Sequence, residues 1–264
     1  MLRSAKTIIG YHLQAQNGKI GTCSDFLFDE EYWSVRYMVA DTGGWLSGKK
    51  VLVSPQLFGD PSWASRTFPV LLTKEEIEKA PSLDTHEPVS RRYEKMWLNH
   101  FGFKYYWITS GGLAPGYVIS SPYQPTSKSD AADTAPEKKS PDNQQVENDT
   151  ADDDEIRLRS VNEIVGYRIN ARGELFGEVE EFIVDDTTWI IRYVVMNTGG
   201  WFSGKKVLAP PEWIESISWH DRDVVMNVVR SSIEACPEYE PSRPINREYE
   251  QVLYDYHGKP HHWE

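Results

Sequence analysis

The sequence predicts a mainly β protein with short helices, built as two tandem repeats. Each repeat is a small barrel or sandwich with a C-terminal helical appendage, and a disordered linker joins the two. Three observations predict this. The stretch Thr42-Gly43-Gly44-Trp45-Leu46-Ser47-Gly48-Lys49-Lys50-Val51-Leu52 returns at 198–208 with one change, Leu46 against Phe202. Short apolar runs recur at about 8–12-residue spacing with turn signals between them. Between the repeats, composition changes abruptly over residues 111–155.

The repeat extends far beyond its most similar stretch. A constant offset of 156 aligns residues 3–107 with 159–263 without a gap, and 36 of the 105 pairs are identical. Gly10/Gly166, Tyr11/Tyr167, Trp33/Trp189, Arg36/Arg192, Tyr93/Tyr249 and Glu94/Glu250 are among them. Self-similarity at one fixed offset marks a duplicated structural unit.

Within the first repeat, Ile9, Tyr11, Leu13 and Ala15 alternate, which predicts a strand over Ile8 to Ala15. Asn17-Gly18 is a tight-turn signal, and Lys19 to Phe28 follows as the second strand. Asp29-Glu30-Glu31 is a polar turn. Val35, Tyr37 and Val39 alternate with Arg36, Met38 and Ala40 in a strand from Trp33 to Asp41. Two glycines and a Ser-Gly before the strand from Lys49 to Ser54 predict a hairpin, because glycine reaches positive φ without steric cost. A loop with Pro55, Gly59 and Pro61 leads to a strand over Thr67 to Leu72. Thr73-Lys74-Glu75-Glu76 has the form of a capping box opening a short helix. Ser90 to Phe101 reads as a second helix with Tyr93, Met96, Trp97, His100 and Phe101 on one face. Asn246 to His257 is its counterpart. Gly102 to Trp107 is an aromatic tail, weaker in the second copy.

These readings divide the chain into a first repeat at 1–110, a linker at 111–155 and a second repeat at 156–264. The linker is rich in Ser, Pro, Asp, Thr and Lys, and such a composition cannot offset chain entropy by burial. A flexible chain of that length spans on the order of 35–40 Å. It would hold the repeats near each other at about millimolar effective concentration. Two halves sharing one aromatic surface are then expected to pair with approximate two-fold symmetry.

The net charge is −12, but residues 128–155 alone hold ten acidic and three basic side chains. Neither repeat is basic enough for a nucleic-acid footprint, so no direct nucleic-acid partner is expected. Cys23 and Cys236 occupy non-equivalent positions, which predicts free, mostly buried thiols and a reducing compartment. The opening Met-Leu-Arg-Ser-Ala-Lys has no apolar signal core, and no run approaches the roughly 20 apolar residues of a membrane span. The expected location is the cytoplasm, with peripheral association with a membrane complex left open.

Several of these residues carry a family resemblance. Val35-Arg36-Tyr37-Met38-Val39 leading to Gly48-Lys49-Lys50-Val51-Leu52-Val53-Ser54-Pro55 resembles the PRC-barrel family. So does Ile191-Arg192-Tyr193-Val194-Val195 leading to Gly204-Lys205-Lys206-Val207-Leu208-Ala209-Pro210. Ile9-Gly10-Tyr11 with Gly18 and Gly21 also fits. The appended helical segment is similar to that of stand-alone bacterial members carrying two barrels. The resemblance implies a PRC-like β-barrel of about six strands per repeat. It does not imply one activity, because members bind different partners. They include the cytoplasmic domain of the photosynthetic reaction centre H subunit and the barrel domain of a ribosome maturation factor.

No nucleophile motif, phosphate-binding glycine loop or dense metal motif is present, so no catalytic residue, cofactor or metal is expected. Gly43-Gly44 and Gly199-Gly200 do not open a helix. His257, His261 and His262 form a histidine cluster, but their equivalents are Phe101, Tyr105 and Tyr106, and a polar tail explains them. The candidate contact residues are Trp45, Lys49, Lys50, Trp201, Lys205 and Lys206. In one reading each tryptophan anchors a partner with lysines at its rim. In the other, the tryptophans cover a barrel end or pack between the repeats, and packing between the repeats is the favoured form. Arg36 and Arg192 are expected to pair with Asp29 and Asp185, or with Glu94 and Glu250. Adjacent acids at the Asp29-Glu30-Glu31 and Asp185-Asp186 turns read as solvated loops.

Three functions are carried forward. The first is a non-enzymatic binding or adaptor protein that engages a protein or membrane-associated complex. The second, by similarity to the H subunit, is an accessory role in photosynthetic or respiratory electron or proton transfer. The third is ribosome maturation through a ribosomal protein. One consequence is testable directly. Deleting residues 112–155 should leave the β-type circular dichroism signal intact, and its loss would refute the linker reading.

Overall fold

The computed structural model describes residues 1–83, 89–107, 158–199, 204–243 and 245–257. The linker predicted at 111–155 lies outside them, as do Trp201, His261 and His262. The first repeat contributes β1 (Leu2–Ser4), α1 (Ala5–Ile8), β2 (His12–Ala15), β3 (Gly18–Asp29), β4 (Ser34–Asp41), β5 (Lys50–Val53), β6 (Thr67–Pro69), α2 (Lys74–Lys79) and α3 (Arg91–Phe101). The second contributes β7 (Leu158–Ser160), α4 (Val161–Ile164), β8 (Arg168–Ala171), β9 (Glu174–Asp185), β10 (Ile191–Asn197) and β11 (Lys206–Ala209). It continues through β12 (Ile214–Ser218), β13 (Asp223–Met226), α5 (Arg230–Glu234) and α6 (Arg247–His257).

The chain is mainly β, as its patterning predicts. Each repeat runs as an antiparallel meander, β2-β3-β4-β5 and β8-β9-β10-β11, and then returns a strand parallel to its first, β6 on β2 and β13 on β8. The hydrogen-bonded order is open among the described strands, with β5 and β6 at the ends of one sheet and β11 and β12 at the ends of the other. The Gly-Gly-Trp stretch is a hairpin connection between β4 and β5. One 3-10 turn covers Gly43–Leu46, and Gly43, Ser47 and Gly48 take positive φ.

The strand predicted over Ile8 to Ala15 starts later. Ser4 accepts the amide of Thr7 and turns Ala5–Ile8 into one helical turn, and Gly10 at φ 90° redirects the chain into β2. The strand predicted over Thr67 to Leu72 stops at Pro69, and the capping box then opens α2 as expected, with Thr73 and Glu76 exchanging hydrogen bonds. In α3 the buried face is Arg91, Glu94, Trp97 and Leu98. Met96 is 50% exposed, because the buried Arg91–Glu94 pair turns the helix away from the purely apolar stripe.

The short first strands carry the main architectural fact. β1 pairs with β9 of the second repeat, placing Leu2 opposite Asp185 and Ser4 opposite Ile183. Reciprocally, β7 pairs with β3 of the first repeat, placing Leu158 opposite Asp29 and Ser160 opposite Leu27. Under the 156-residue offset these two ladders are the same ladder. Each repeat therefore completes the other's sheet, which gives six strands in one and seven in the other.

Side chains lock the exchange at equivalent positions. Arg159 forks onto Glu30 through Nε (2.8 Å) and Nη2 (3.1 Å), and Arg3 Nε donates to Asp186 at 3.1 Å. Ser160 donates to Asp25 at 2.5 Å, and Ser4 donates to Glu181. A β-bulge in each long strand aims those two acids, since Ser24 and Glu180 are skipped in the pairing registers with β4 and β10. Bulges bend a strand and redirect the neighbouring side chain.

The pseudo-two-fold axis passes between Ser34 and Ile190, equivalent residues that bridge antiparallel. Beside it, the Val35 amide donates to the Trp189 carbonyl (2.8 Å) and the Ile191 amide to the Trp33 carbonyl (2.7 Å). Both tryptophans have left-handed backbones, φ 52° and 57°, which is costly for a large side chain. Packing holds Trp189 there. It is 6% exposed, with Phe58, Phe26 and Phe68 of the first repeat at ring-centroid distances of 4.8, 5.7 and 5.7 Å. Trp33 is only partly buried and stacks on Phe28 at 5.3 Å. Trp189→Ala should therefore lower stability by roughly 3–5 kcal/mol, and Trp33→Ala by clearly less, in urea unfolding. Equal losses would mean that the two rings have equivalent surroundings.

Candidate functional site

The hairpin residues singled out from the sequence fall into two kinds. Lys49 Nζ donates to the carbonyls of Glu78 (2.8 Å) and Ala80 (2.6 Å) at the end of α2. Lys205 does the same for Glu234 (3.0 Å) and Cys236 at the end of α5. The last carbonyls of a helix lack intrahelical donors, and a lysine supplies them. The first lysine of each Lys-Lys pair thus ties the hairpin to the following helix. Lys206 pairs with Glu180 in its own sheet, and the Lys50 carbonyl accepts the Leu83 amide.

Trp45 is 37% exposed, and Lys74 of the same repeat lies over its ring at 4.5 Å. Among the described residues, packing between the repeats is carried by Trp33, Trp189 and the exchanged strands, while Trp45 packs against Lys74 of its own repeat and Trp201 lies outside the described residues. The signal of the exchanged strands was present in the sequence as the identical Leu-Arg-Ser triplets at 2–4 and 158–160. Cys23 and Cys236 are free and buried, as expected. Burial pushes both thiols upward, Cys236 to about 11.

The second place of interest is built around Arg36. In the register between β3 and β4, Leu27 faces Tyr37 and Phe28 faces Val35, which leaves Arg36 as the extra residue of a β-bulge. Arg192 is left over in the same way between Ile191 and Tyr193. The bulge turns the Arg36 guanidinium back onto Asp29, with Nη2 donating to Oδ2 at 3.4 Å, the predicted pairing. Arg192 approaches Asp185 at 3.8 Å.

In the first repeat the aromatic tail closes over this bulge. The Tyr106 ring lies 4.0 Å from the Arg36 guanidinium, and its hydroxyl donates to Glu94 at 2.8 Å. Arg91 donates to the other Glu94 oxygen at 3.1 Å and sits 4.0 Å over Trp107. Trp97 anchors α3 by donating to the Leu52 carbonyl at 3.0 Å and meeting Tyr37 edge-on at 5.0 Å.

Two carboxylates and two arginines are therefore buried side by side. Burial raises the Glu94 carboxyl to about 7, against the opposing pull of Arg91 and the hydroxyl of Tyr106. Burial also raises Asp25 and Glu181 at the exchanged strands, where Ser160 and Ser4 oppose the shift. Among the described residues no group of His, Cys, Asp and Glu side chains has the placement to hold a metal ion.

Comparison with known families gives a match in the second repeat. Residues 158–233 match the family model of the PRC-barrel domain, so a PRC-barrel domain is found there. The matched segment opens on β7, the strand that lies in the first repeat's sheet. No curated protein matches the chain. No helix among the described residues is long and apolar enough to cross a membrane.

The Glu94 shift has a pH signature. A carboxyl held above its unfolded value favours the folded state fully below about 4.5, and this contribution is lost as pH rises through about 7. Wild type should lose on the order of 1–3 kcal/mol relative to Glu94→Gln between pH 4.5 and pH 8. Urea midpoints of both proteins at each pH check this, and parallel profiles would remove Glu94 as the source.

Proposed function

We propose that this is a non-enzymatic binding or adaptor protein, in which the two exchanged repeats act as one body that engages a protein or a membrane-associated complex. The PRC-barrel domain at 158–233 supports this reading, as a module suited to protein interaction. One observation carries it. Met96 on α3 and Val252 on α6 are equivalent under the repeat, and they are 50% and 51% exposed. Single exposed apolar residues are ordinary, but here both copies keep the same outward position apolar. On α6, Tyr256 extends the strip by one turn. The exposed rings of Trp45 and Trp219 add aromatic contact surface.

A second reading, accessory to electron or proton transfer in a partner complex, draws on Glu94. A carboxyl titrating near neutral pH beside Tyr37, Tyr106 and two arginines is suited to exchanging a proton. Its mark would be altered proton uptake by that complex when Glu94→Gln replaces wild type.

The adaptor reading is tested by affinity capture from membrane and soluble fractions of the native host, with wild type and a Met96→Glu, Val252→Glu double variant as baits. Recovery of one complex by wild type, and its loss from the folded variant, is the expected result. Recovery of no complex from either fraction would overturn the reading.

A further inference from the structure

The duplicated helices keep their outward apolar position and reverse the charge beside it. On α3, Arg92 and Met96 are both exposed. They stand four residues apart, so they share one face of the helix. On α6 the equivalent positions are Glu248 and Val252, again both exposed. Neither Arg92 nor Glu248 makes an ion pair among the described residues. The aromatic tail that follows α3 meets Arg91 and Glu94 instead, on another side of the helix.

The face of α6 also has depth. Tyr239, Ile245, Tyr249 and Val252 line a cavity of about 370 Å³, and Glu238 and Glu248 stand at it. A cavity of this volume has room for side chains of an incoming helix. Arg243 in the same lining is neutralised by Glu240 at 2.9 Å. The Glu238 carboxylate, like that of Glu248, has no ion-pair partner among the described residues. In the first repeat Ser82 and Arg92 stand where Glu238 and Glu248 do, so neither acid is repeated on the face of α3.

We infer that these two faces take each other: α3 of one copy of this chain docks on α6 of a second copy, with Met96 in the cavity beside Val252 and Arg92 against Glu248 and Glu238. Charge complementarity selects this occupant. Pairing like faces would set Arg92 against Arg92, or Glu248 against Glu248, and repulsion disfavours both. Methionine suits the cavity because an unbranched side chain adapts to an irregular wall. The contact is heterologous, so a copy docked through α3 still offers its own α6. Such contacts build rings when the rotation closes and open rows when it does not. The inference goes beyond the adaptor reading, because it concerns what the chain does with its own copies.

The test is sedimentation velocity of the full chain over a range of concentrations, at low ionic strength so that the charges are not screened. Wild type is expected to gain mass beyond the monomer as concentration rises. Arg92→Glu and Glu248→Arg should each weaken this association roughly tenfold, because each brings like charges together at the contact. A one-to-one mixture of the two variants should associate as wild type does, since each then offers the other an opposite charge. Circular dichroism confirms that both variants are folded. A monomer at every concentration would overturn the inference, as would undiminished association of either variant. A mixture that associates no better than its components would overturn it too. A partner complex captured by a chain that sediments only as a monomer would leave the adaptor reading standing and remove this one.

Discussion

Two three-residue strands hold this molecule together. β1 and β7 are too short to be stable alone, and each gains its ladder only on the other repeat's long strand. The exchange explains features that have no purpose inside one repeat. Asp25 and Glu181 sit beside bulges so that they meet Ser160 and Ser4. The tryptophans at 33 and 189 accept left-handed backbones so that their carbonyls can take an amide across the axis. The paired charges at Arg159–Glu30 and Arg3–Asp186 are partly exposed and individually worth little. Their contribution is to fix the register of strands that would otherwise slip.

The same frame separates the two uses of the duplicated sequence. Lys49 and Lys205 make the same pair of bonds in both copies, so their identity reflects a shared structural need. Arg36 and Arg192 are also identical, yet the Arg36 side chain is buried under Tyr106 and the Arg192 side chain is 26% exposed. Duplication preserved the bulge at each arginine, while the segments that follow α3 and α6 diverged from Tyr105-Tyr106 to His261-His262. Identity between the copies therefore marks structure more reliably than it marks function.

Much of the fold was legible from local chemistry. The meander followed from alternation, the hairpin from Gly43, Gly44 and Gly48, and the start of α2 from the Thr73–Glu76 capping box. What escaped has a physical reason in each instance. Leu2–Ser4 is too short to show a period, so only its repetition at 158–160 signalled it. The sequence offers Glu94 as a partner for Arg36, and nothing in the spacing of α3 shows that Arg91 meets it inside the core. The alternation in β4 suggested one buried face, whereas nearly the whole strand is buried, with Tyr37 packed edge-on against Trp97 of α3. The bulges that redirect Arg36 and Arg192 leave no mark in a linear pattern.

The exchange also has a consequence in time. The ribosome completes the first repeat about 50 residues before it makes Leu158. At a synthesis rate of ~5–20 residues per second, the interval lasts roughly 3–10 s. Through it the edge of β3 along Leu27–Asp29 has no neighbour, while β1 is already made and has no sheet to join. Nascent chains crowded on one message would present one another with the matching edge and the matching strand. The length of the segment between the repeats thus sets how long each newborn chain is open to capture by its neighbours before it can close on itself.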